Sequence, residues 1–581
     1  MHQKKVRHLL RVALVTGVAL TFLGCRTQDY KRRADKEAYK ILDKAQDQIG
    51  AGADEAFSIE TDYTDRKHQE IPADEILEDR NIAETFRLDA DGAIDLALET
   101  SRDYQLQKES LFLSALSLSG AEFAFDSRFF GGTRGTRNRS TSGERSGSLV
   151  SDFGFNRALI TGGSLSAQLA NNALRFYTGD PRKSVVSTLT FNIAQPLLRG
   201  AGRRIAVESL TQASRNVIYE TRDFNQFQHE FAVDILLSYF RLLQQKDVIR
   251  NRYSNYINRV QSTAQLEAFY EAGRQNIVDL NQALQAELSS KISYVSTVAN
   301  YETQLDQFKV QLGIPVASKV MLDDKAFEAL ELEGLPSLNI GSQDAFEIAI
   351  GRHPLVLNAI DRFEDQKRKL RIAANNLQAD LRVFADGSLD SEGPTDYANF
   401  NIDDARFNYG VELDLPLNRL NERNQYRSTL ITFERELRNL SLVLDNKRRE
   451  IDLGIRTLDQ LQRNYRDQVV AEKISDLRVN SSRLLFDAGR STERDIREAL
   501  DAQVASKNSV TVALVDYLQA RLDLLLAMGI LDTSEPAFWL KPNPVVIEEE
   551  IMAPEPEEAD IEDIEIVSPE LLFNEFDETE S

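Results

Sequence analysis

Two long stretches of the chain carry apolar residues at helical spacing without strong helix breakers. Residues 204–272 contain no proline or glycine, and residues 422–488 contain only Gly454. Apolar and aromatic positions recur at intervals of three and four in both stretches, as at Ile235, Tyr239, Leu242 and Ile249 in the first. Such a stripe is typical of helices that pack side by side. Each stretch therefore predicts one continuous helix about 100 Å long.

The sequence contains an internal duplication. The segment FYEAGRQNIVDLNQAL (269–284) recurs 216 residues later as LFDAGRSTERDIREAL (485–500). At the same offset Gly313 matches Gly529, and further upstream AIDLAL (93–98) resembles AFEIAI (345–350). We therefore divide the core of the chain into repeat 1 (91–337) and repeat 2 (338–537), each with a helix, strands, a long helix, a tip and a second helix.

Between the first helix and the long helix of each repeat, the hydrophobic period changes from 3.6 to 2. Alternation occurs at 164–169 and 188–193 in repeat 1, and at 381–390 and 407–415 in repeat 2. This predicts four strands with one apolar and one polar face. A transmembrane barrel and a half-buried soluble sheet both alternate in this way. We expect the Gly-, Ser- and Arg-rich segment 131–148 and the segment 391–404 to be loops.

Helix lengths favour the membrane interpretation. The remaining helical patterns, 93–126, 277–312, 344–380 and 493–531, are each about half as long as the two long ones. Two half-length helices laid end to end match one long helix, with a waist at 314–343 that carries Pro315 and Pro336. Four strands cannot close a barrel, and an open edge in hydrocarbon leaves backbone groups unsatisfied, so the chain must associate if its strands lie in lipid.

The duplicated segment is predicted to be a helical tip. Gly273 and Gly489 end the long helices, and Asn276 and Thr492 are suited to cap the helices that follow. Asp279 and Asp495 come three residues after these caps, with Glu498 close by. In a threefold ring the two aspartates would supply six carboxylates around a narrow opening, which would favour cations. Aspartate at this position also stabilises a helix N-terminus, which is the simpler interpretation, and the two roles are compatible.

Charge is distributed unevenly along the 581 residues. The formal net charge is −23, and fifteen Asp and Glu follow Lys541, the only basic residue of the C-terminal segment. This segment (538–581) is predicted to be a disordered acidic tail. An acidic chain of this kind repels nucleic acid, so no nucleic-acid partner is expected.

The N-terminus has the pattern of an export signal. Basic residues precede a twelve-residue apolar run (12–23), which is too short to span a bilayer and ends at Gly24 and Cys25. Cys25 is the only cysteine, which excludes a disulfide within the chain and cysteine-based metal sites. The stretch FLGC resembles the lipobox of bacterial lipoproteins, and this resemblance implies that residues 1–25 are a signal peptide with lipidation at Cys25. Residues 26–90 would then be an N-terminal periplasmic segment.

Motifs for catalysis are missing. The five histidines include two in the signal, and the sequence contains no HExxH, GxSxG, P-loop or Cys/His cluster. We therefore predict that the chain is not an enzyme, and we expect no cofactor and no metal. A hydrolase or an adaptor-type envelope protein is disfavoured for the same reason.

The ordered set of features resembles TolC-type outer membrane efflux proteins of the lipoprotein-anchored kind. It comprises the duplicated tip, QPLLRG (195–200) and LPLNRL (415–420) where strands enter the long helices, and LGIP (312–315) and MGIL (528–531) at the ends of the last helices. The resemblance spans about residues 91–531 and implies an α+β membrane protein. Its architecture would be a homotrimer with a 12-stranded barrel in the outer membrane and a 12-helix coiled-coil tunnel through the periplasm.

The resemblance also implies a function. The protein would be the passive outer membrane channel of a tripartite efflux or type I secretion system, with a periplasmic adaptor (membrane fusion) protein and an inner-membrane pump as partners. Asp279 matches the acidic gate residue of the family, and Asp495 and Glu498 follow by internal symmetry. Gly273, Arg274, Gly489 and Arg490 would form the tip turns that dock the adaptor. The alternative is a lipid-anchored periplasmic coiled-coil scaffold without a pore.

Overall fold

The computed structural model describes residues 27–541, except for 50–56, 62, 65, 68, 70, 142, 179–182, 334–337, 339 and 393–397. Cys25, the predicted signal and most of the predicted acidic tail lie outside the described residues. The helices are α1 (Thr27–Ile49), α2 (Ala73–Asn81), α3 (Ala90–Thr100), α4 (Arg102–Phe123), α5 (Arg203–Ala206), α6 (Glu208–Glu271), α7 (Ile277–Leu312), α8 (Lys325–Glu333), α9 (Ser342–Arg352), α10 (Pro354–Asn375), α11 (Leu420–Asp487) and α12 (Glu493–Met528). The strands are β1 (Thr85–Leu88), β2 (Arg128–Arg139), β3 (Arg145–Ala158), β4 (Ser164–Phe176), β5 (Lys183–Pro196), β6 (Lys319–Leu322), β7 (Asp380–Asp390) and β8 (Arg406–Asp414).

Both long helices are confirmed. α6 has 64 residues and α11 has 68, so each is about 100 Å long. α6 begins at Glu208, a few residues later than the sequence predicted, because the short helix α5 and a non-helical Val207 precede it. No described helix combines the length and the apolar character needed to cross a bilayer.

The predicted helices 93–126 and 344–380 are each interrupted, so their prediction as continuous helices was wrong. The breaks lie at Ser101 (φ −69°, ψ 131°) and at His353 (φ −70°, ψ 123°). At His353 the cause is Pro354, because proline disfavours the helical conformation in the residue before it. At Ser101 the end of α7 passes so close that a Cβ on Gly313 would lie 3.1 Å from the Ser101 Cα.

The waist is the level at which the half-length helices meet. In repeat 1 the Thr100 hydroxyl donates to the Leu312 carbonyl (2.5 Å), which joins the ends of α3 and α7. In repeat 2, Gly529 after α12 lies against the backbone of His353 at the end of α9. β1 pairs in parallel with β6, and the Tyr239 hydroxyl of α6 donates to the Asp323 carbonyl (2.6 Å) beside them. The short helices are thereby fixed to the middle of the long one.

The main hydrophobic core surrounds the middle of α6. Ile235, Leu236, Tyr239 and Phe240 are fully buried there, against residues of α3, α4, α12 and the β1–β6 pair. Trp539, in the segment assigned from sequence to the tail, packs against Phe240 at a ring distance of 6.0 Å. The buried Arg521 guanidinium donates to the carbonyl oxygens of Trp539 (3.0 Å) and Lys541 (2.7 Å). The chain is therefore held at the waist up to residue 541.

The large sheet has six strands rather than the four predicted. Its order is β2-β3-β4-β5-β7-β8, with every neighbouring pair antiparallel. The offset between the repeats is 252 residues at α4 and α10 but 216 at α7 and α12, so repeat 1 holds 36 extra residues. These extra residues correspond to two additional strands.

The predicted loop at 131–148 was wrong, because most of it belongs to β2 and β3. Pairing is continuous from Arg128 opposite Asn156 to Arg139 opposite Arg145. Ladder hydrogen bonds along the whole length outweigh the weak strand preference of the glycines and serines. Gly147 also has a packing role, because the Tyr177 ring covers it so closely that a Cβ there would lie 3.0 Å from the ring.

The two faces of this sheet differ as the alternation predicted. One cross-strand row consists of Phe129, Phe155, Ala167, Phe191, Gly387 and Phe407. The adjacent row on the other face consists of Arg128, Asn156, Ser166, Asn192, Asp386 and Asn408. The apolar face is open, with Phe129 at 69% and Phe407 at 76% exposure in the single chain. An apolar surface of this extent indicates contact with a partner or a membrane.

Helix α1 runs along the outside of the helical part, from the sheet end toward the waist. Glu37 accepts a hydrogen bond from Ser119, near the strand end of α4 (2.8 Å). Twenty-two residues later, the Ile59 carbonyl accepts one from Gln105, near the waist end of α4 (2.9 Å). The first described residue, Thr27, therefore lies toward the sheet.

The close approach at the waist predicts the effect of Gly313→Ala. Gly313 has φ +83°, and a Cβ there would lie 2.0 Å from the Thr100 carbonyl oxygen. We expect a loss of about 3 kcal/mol or more in stability, seen as a lower Tm of the helical circular dichroism signal in detergent. Gly120→Ala is the control, because that exposed helical site has open space around it and should change stability by less than about 1 kcal/mol. Equal melting temperatures for both variants would contradict the proposed contact.

Candidate functional site: the paired helical tips

The two tip turns have the same backbone geometry. Gly273 and Gly489 both have φ +72°, which favours glycine. In the first tip the Arg274 N–H donates to the Phe269 carbonyl, and in the second the Arg490 N–H donates to the Leu485 carbonyl, each at 2.8 Å. In each turn the glycine N–H also donates to a helix carbonyl, so two hydrogen bonds satisfy carbonyl groups at the end of the helix. Both glycines therefore lie in the turns that end α6 and α11.

The helices that leave the tips are capped by different groups. At α7 the Asn276 side chain accepts from the Asp279 backbone N–H (2.9 Å). At α12 the Asp495 carboxylate reaches back and accepts from the Thr492 N–H (2.8 Å) and the Thr492 hydroxyl (2.7 Å). The Ser491 hydroxyl also donates to it at 3.1 Å. Asp495 thus belongs to a capping box, whereas Asp279 contributes only its backbone.

This difference sets the chemistry of the two aspartates. Hydrogen bonds from Thr492 and Ser491 lower the pKa of Asp495 below its ordinary value. The Asp279 side chain is partly buried, and its carboxylate accepts no hydrogen bond from the described residues. Two residues at equivalent positions of the repeat therefore differ in their freedom to interact with other charges.

The remaining predicted site residues lie around the same turns. Glu498 pairs with Arg478 within the second hairpin (2.9 Å), but both side chains are about half exposed or more (64% and 49%). An exposed pair of this kind contributes little to stability. Arg274 and Arg490 are exposed at the tips, and neither forms an ion pair with a described residue. They are available to other molecules.

An ion pair that the sequence did not predict connects the two hairpins. Arg259 of α6 is 4% exposed, and its guanidinium donates to the Asp501 carboxylate of α12 (2.6 Å). Nearby, Arg483 of α11 donates to the Asn258 side chain of α6 (3.2 Å). These contacts hold the hairpins side by side, so both tips lie at the same end. The only signal in the sequence was an arginine next to the apolar stripe of α6.

Each hairpin also has a small apolar cluster of its own behind the tip. Leu266, Leu280 and Ala283 form the first cluster, and the second consists of Val479, Ile496, Ala499 and Leu500. They are separate from the main core at the waist. The tips therefore depend on local packing and on the Arg259–Asp501 pair. In the described part of the chain, no group of three His, Cys, Asp or Glu residues is placed to hold a metal ion.

Comparison with solved structures confirms the resemblance at the level of the fold. The chain is similar to the channel protein CusC (14% identity, TM-score 0.57), with 77% of this chain and 93% of that one covered. It is also similar to the Campylobacter jejuni outer membrane channel CmeC (14%, TM-score 0.55; 76% and 85% covered). A third is the Vibrio cholerae outer membrane protein VceC (13%, TM-score 0.55; 76% and 96% covered). No protein-family model and no curated protein sequence matches the chain.

The different caps predict different effects of two equivalent substitutions. In Asp495→Ala the first turn of α12 loses the acceptor for the Thr492 N–H, so amide hydrogen exchange over 488–500 should become several-fold faster. Asp279→Ala should leave exchange over 272–284 unchanged, because Asn276 still caps α7. Mass spectrometry of peptides from both tips tests this, and equal responses would show that the two aspartates have the same structural role.

Proposed function

We propose that this protein is the outer membrane channel of a tripartite efflux or type I secretion system, and that three copies form a passive conduit from the periplasm to the exterior. One observation carries the proposal. A sheet with an open apolar face and two free edges lies at one end of the long helices, and the paired tips lie at the other end. A membrane end and a docking end about 100 Å apart suit a channel that crosses the periplasm.

The height of the apolar face suits a bilayer. On β7 the residues facing this side run from Leu381 to Leu389, with Val383 between them, and Val411 and Leu413 lie beside them on β8. Nine residues extend about 30 Å along a strand, or about 23 Å across the membrane at a tilt of about 40°. This height is close to the apolar band of outer membrane barrels.

Assembly follows from the free edges. β2 and β8 are the two edge strands of the described sheet, and pairing β2 of one copy with β8 of the next would extend it. Three copies would then give 18 strands, in place of the 12 expected from four strands per chain. Because barrel diameter grows roughly linearly with strand number, the mouth would be about one and a half times as wide.

The position of α1 supports a lipid anchor at Cys25. α1 begins at Thr27 on the sheet side of the helical part, two residues after the cysteine. An acyl chain on Cys25 would enter the same membrane as the apolar face of the sheet. Together with the sheet it would fix the protein in the outer membrane with the helices extending into the periplasm.

At the tips we assign gating to the acidic residues and docking to the turns. Asp279 is the better gate candidate because its carboxylate is unbound, whereas Asp495 is engaged in its capping box and Glu498 pairs with Arg478. The exposed turns with Gly273, Arg274, Gly489 and Arg490 would contact a periplasmic adaptor, which links the channel to an inner-membrane pump. The conduit model is compatible with drugs, metal ions and polypeptides as cargo.

The number of copies is the first test. The full-length protein, extracted from membranes in mild detergent, should have the mass of three chains by multi-angle light scattering corrected for detergent, because the free edges need partners. Introducing Pro at Val411 in β8 should leave a smaller species, since proline removes a ladder donor and its ring disturbs the edge. A monomer in the unmodified protein would contradict the channel and favour the scaffold without a pore.

Conductance is the second test. In planar bilayers we expect stepwise cation-selective currents, with the cation-to-anion permeability ratio falling at least about twofold in Asp279→Asn/Asp495→Asn, because the charged ring is lost. Asp43→Asn/Asp47→Asn on α1 removes the same charge from exposed positions and should leave the ratio unchanged. A trimer without conductance, even in the tip variant, would contradict the conduit. An equal effect of both variants would contradict the gate assignment only.

A further inference from the structure

The far end of the sheet carries four arginines on the face that holds the apolar rows. Arg137 and Arg139 lie an even number of residues after Phe129 on β2. Arg145 lies ten residues before Phe155 on β3, and Arg175 lies eight residues after Ala167 on β4. Even spacing places side chains on one side of a strand. We name this set, Arg137, Arg139, Arg145 and Arg175, the arginine face.

The arginine face is organised by an aromatic ring. Arg137 and Arg175 lie in one cross-strand row with Gly147 between them. The Tyr177 ring covers Gly147, with the Arg137 Cζ 5.9 Å and the Arg175 Cζ 5.4 Å from the ring centre. Cation–π contacts at these distances hold both guanidinium groups over the same ring. Their outer N–H groups remain free to bind an acceptor.

The positive charges of this face are not neutralised within the described part of the chain. The ion pairs there include none of the four arginines. Arg139 is directly opposite Arg145 in the β2–β3 ladder, and like charges at opposed positions destabilise a sheet. The clustering is notable in a protein with a net charge of −23. A bound anion would remove the repulsion.

The position of the face identifies the source of the anion. The row of Arg137 lies six residues along the strands from the apolar row of Gly131, Phe153 and Leu169. This separation is about 20 Å along a strand, or about 15 Å across the membrane at the tilt used above. Polar side chains of Thr133, Ser151 and Asn171 lie in between. In the proposed orientation this level is the polar region of the leaflet farthest from the helices. Arginine side chains can bend back toward such an interface.

We propose that the arginine face binds the phosphate groups of phosphorylated lipids in the outer leaflet. A guanidinium group presents paired N–H donors that match phosphate oxygens, and several arginines together can hold one diphosphorylated headgroup. The same side of the sheet contacts acyl chains through its apolar rows, which favours a lipid over a soluble anion. The inference rests on the proposed function, because the membrane orientation turns this face toward lipid.

The test compares two double variants of one strand. Arg137→Gln/Arg139→Gln changes the arginine face, and Arg128→Gln/Arg134→Gln removes the same charge from the opposite face of β2. The probes are diphosphorylated lipid A and the same lipid with its phosphates removed, titrated into the detergent-solubilised protein and followed by native mass spectrometry. We expect the first variant to bind the phosphorylated lipid about tenfold more weakly, and the control about as well as the unmodified protein. The dephosphorylated lipid should bind weakly to all three.

The outcomes separate this inference from the proposed function. Equal weakening in both variants would show a nonspecific charge effect, and equal binding of the two lipids would show that phosphate is not recognised. Either result overturns the arginine face as a binding site. Conductance and trimer mass measured on the same preparations distinguish the two failures. If the protein is a conducting trimer but does not select the phosphorylated lipid, only the lipid inference fails. If it is a monomer without conductance, the proposed membrane orientation fails, and the lipid inference fails with it.

Discussion

The free edges of the six-stranded sheet are the constraint on which the rest of the structure depends. Within the described part of the chain, β2 and β8 each present a row of backbone N–H and C=O groups without a strand partner on one side. In hydrocarbon each such group costs several kcal/mol, so a sheet with an apolar outer face is stable there only when it closes on itself. In the proposed assembly, closure by several chains would determine the arrangement of everything attached to the strands. The long helices would then run together beneath the ring, and the tips would meet at a common level.

In the helical part, the half-length helices of both halves of the chain are fixed at the waist in a similar way. Gly313 and Gly529 place the ends of α7 and α12 against the breaks at Ser101 and His353, although the contacting residues differ. Between the tips and these junctions the repeats keep one offset of 216 residues. The 36 extra residues of repeat 1 enter on the far side of the waist, in the sheet, where added strands need only local pairing. The sheet can therefore change its number of strands without changing the tips.

The sequence predicted the features that depend on neighbouring residues. An unbroken apolar stripe, a glycine at a positive φ and a capping residue three positions before a carboxylate are local signals, and α6, α11 and both tip turns followed from them. β2 was missed because Gly and Arg dominate it, and only its pairing with β3 makes it a strand. The break at Ser101 and the Arg259–Asp501 pair were missed for a similar reason, since each depends on a distant segment of the chain. The arginine face became visible only once the register of three strands was known.

The two tips have the same turn geometry but different chemistry. Asn276 caps α7 through its own side chain and leaves Asp279 free, whereas Thr492 relies on Asp495. Hydrogen bonds from Thr492 lower the pKa of the Asp495 carboxyl in the folded chain. The ionised carboxylate therefore stabilises the fold fully at pH values above the pKa that Asp495 has in the unfolded chain. This stabilisation is lost only as the pH falls through the lower pKa of the folded chain. In a ring of three chains, the second aspartate of each copy would therefore stay ionised as a structural charge in mildly acidic surroundings. All six carboxylates would then contribute charge, but only the three copies of Asp279 would have carboxylates free to form new contacts, because Asp495 is held in its capping box.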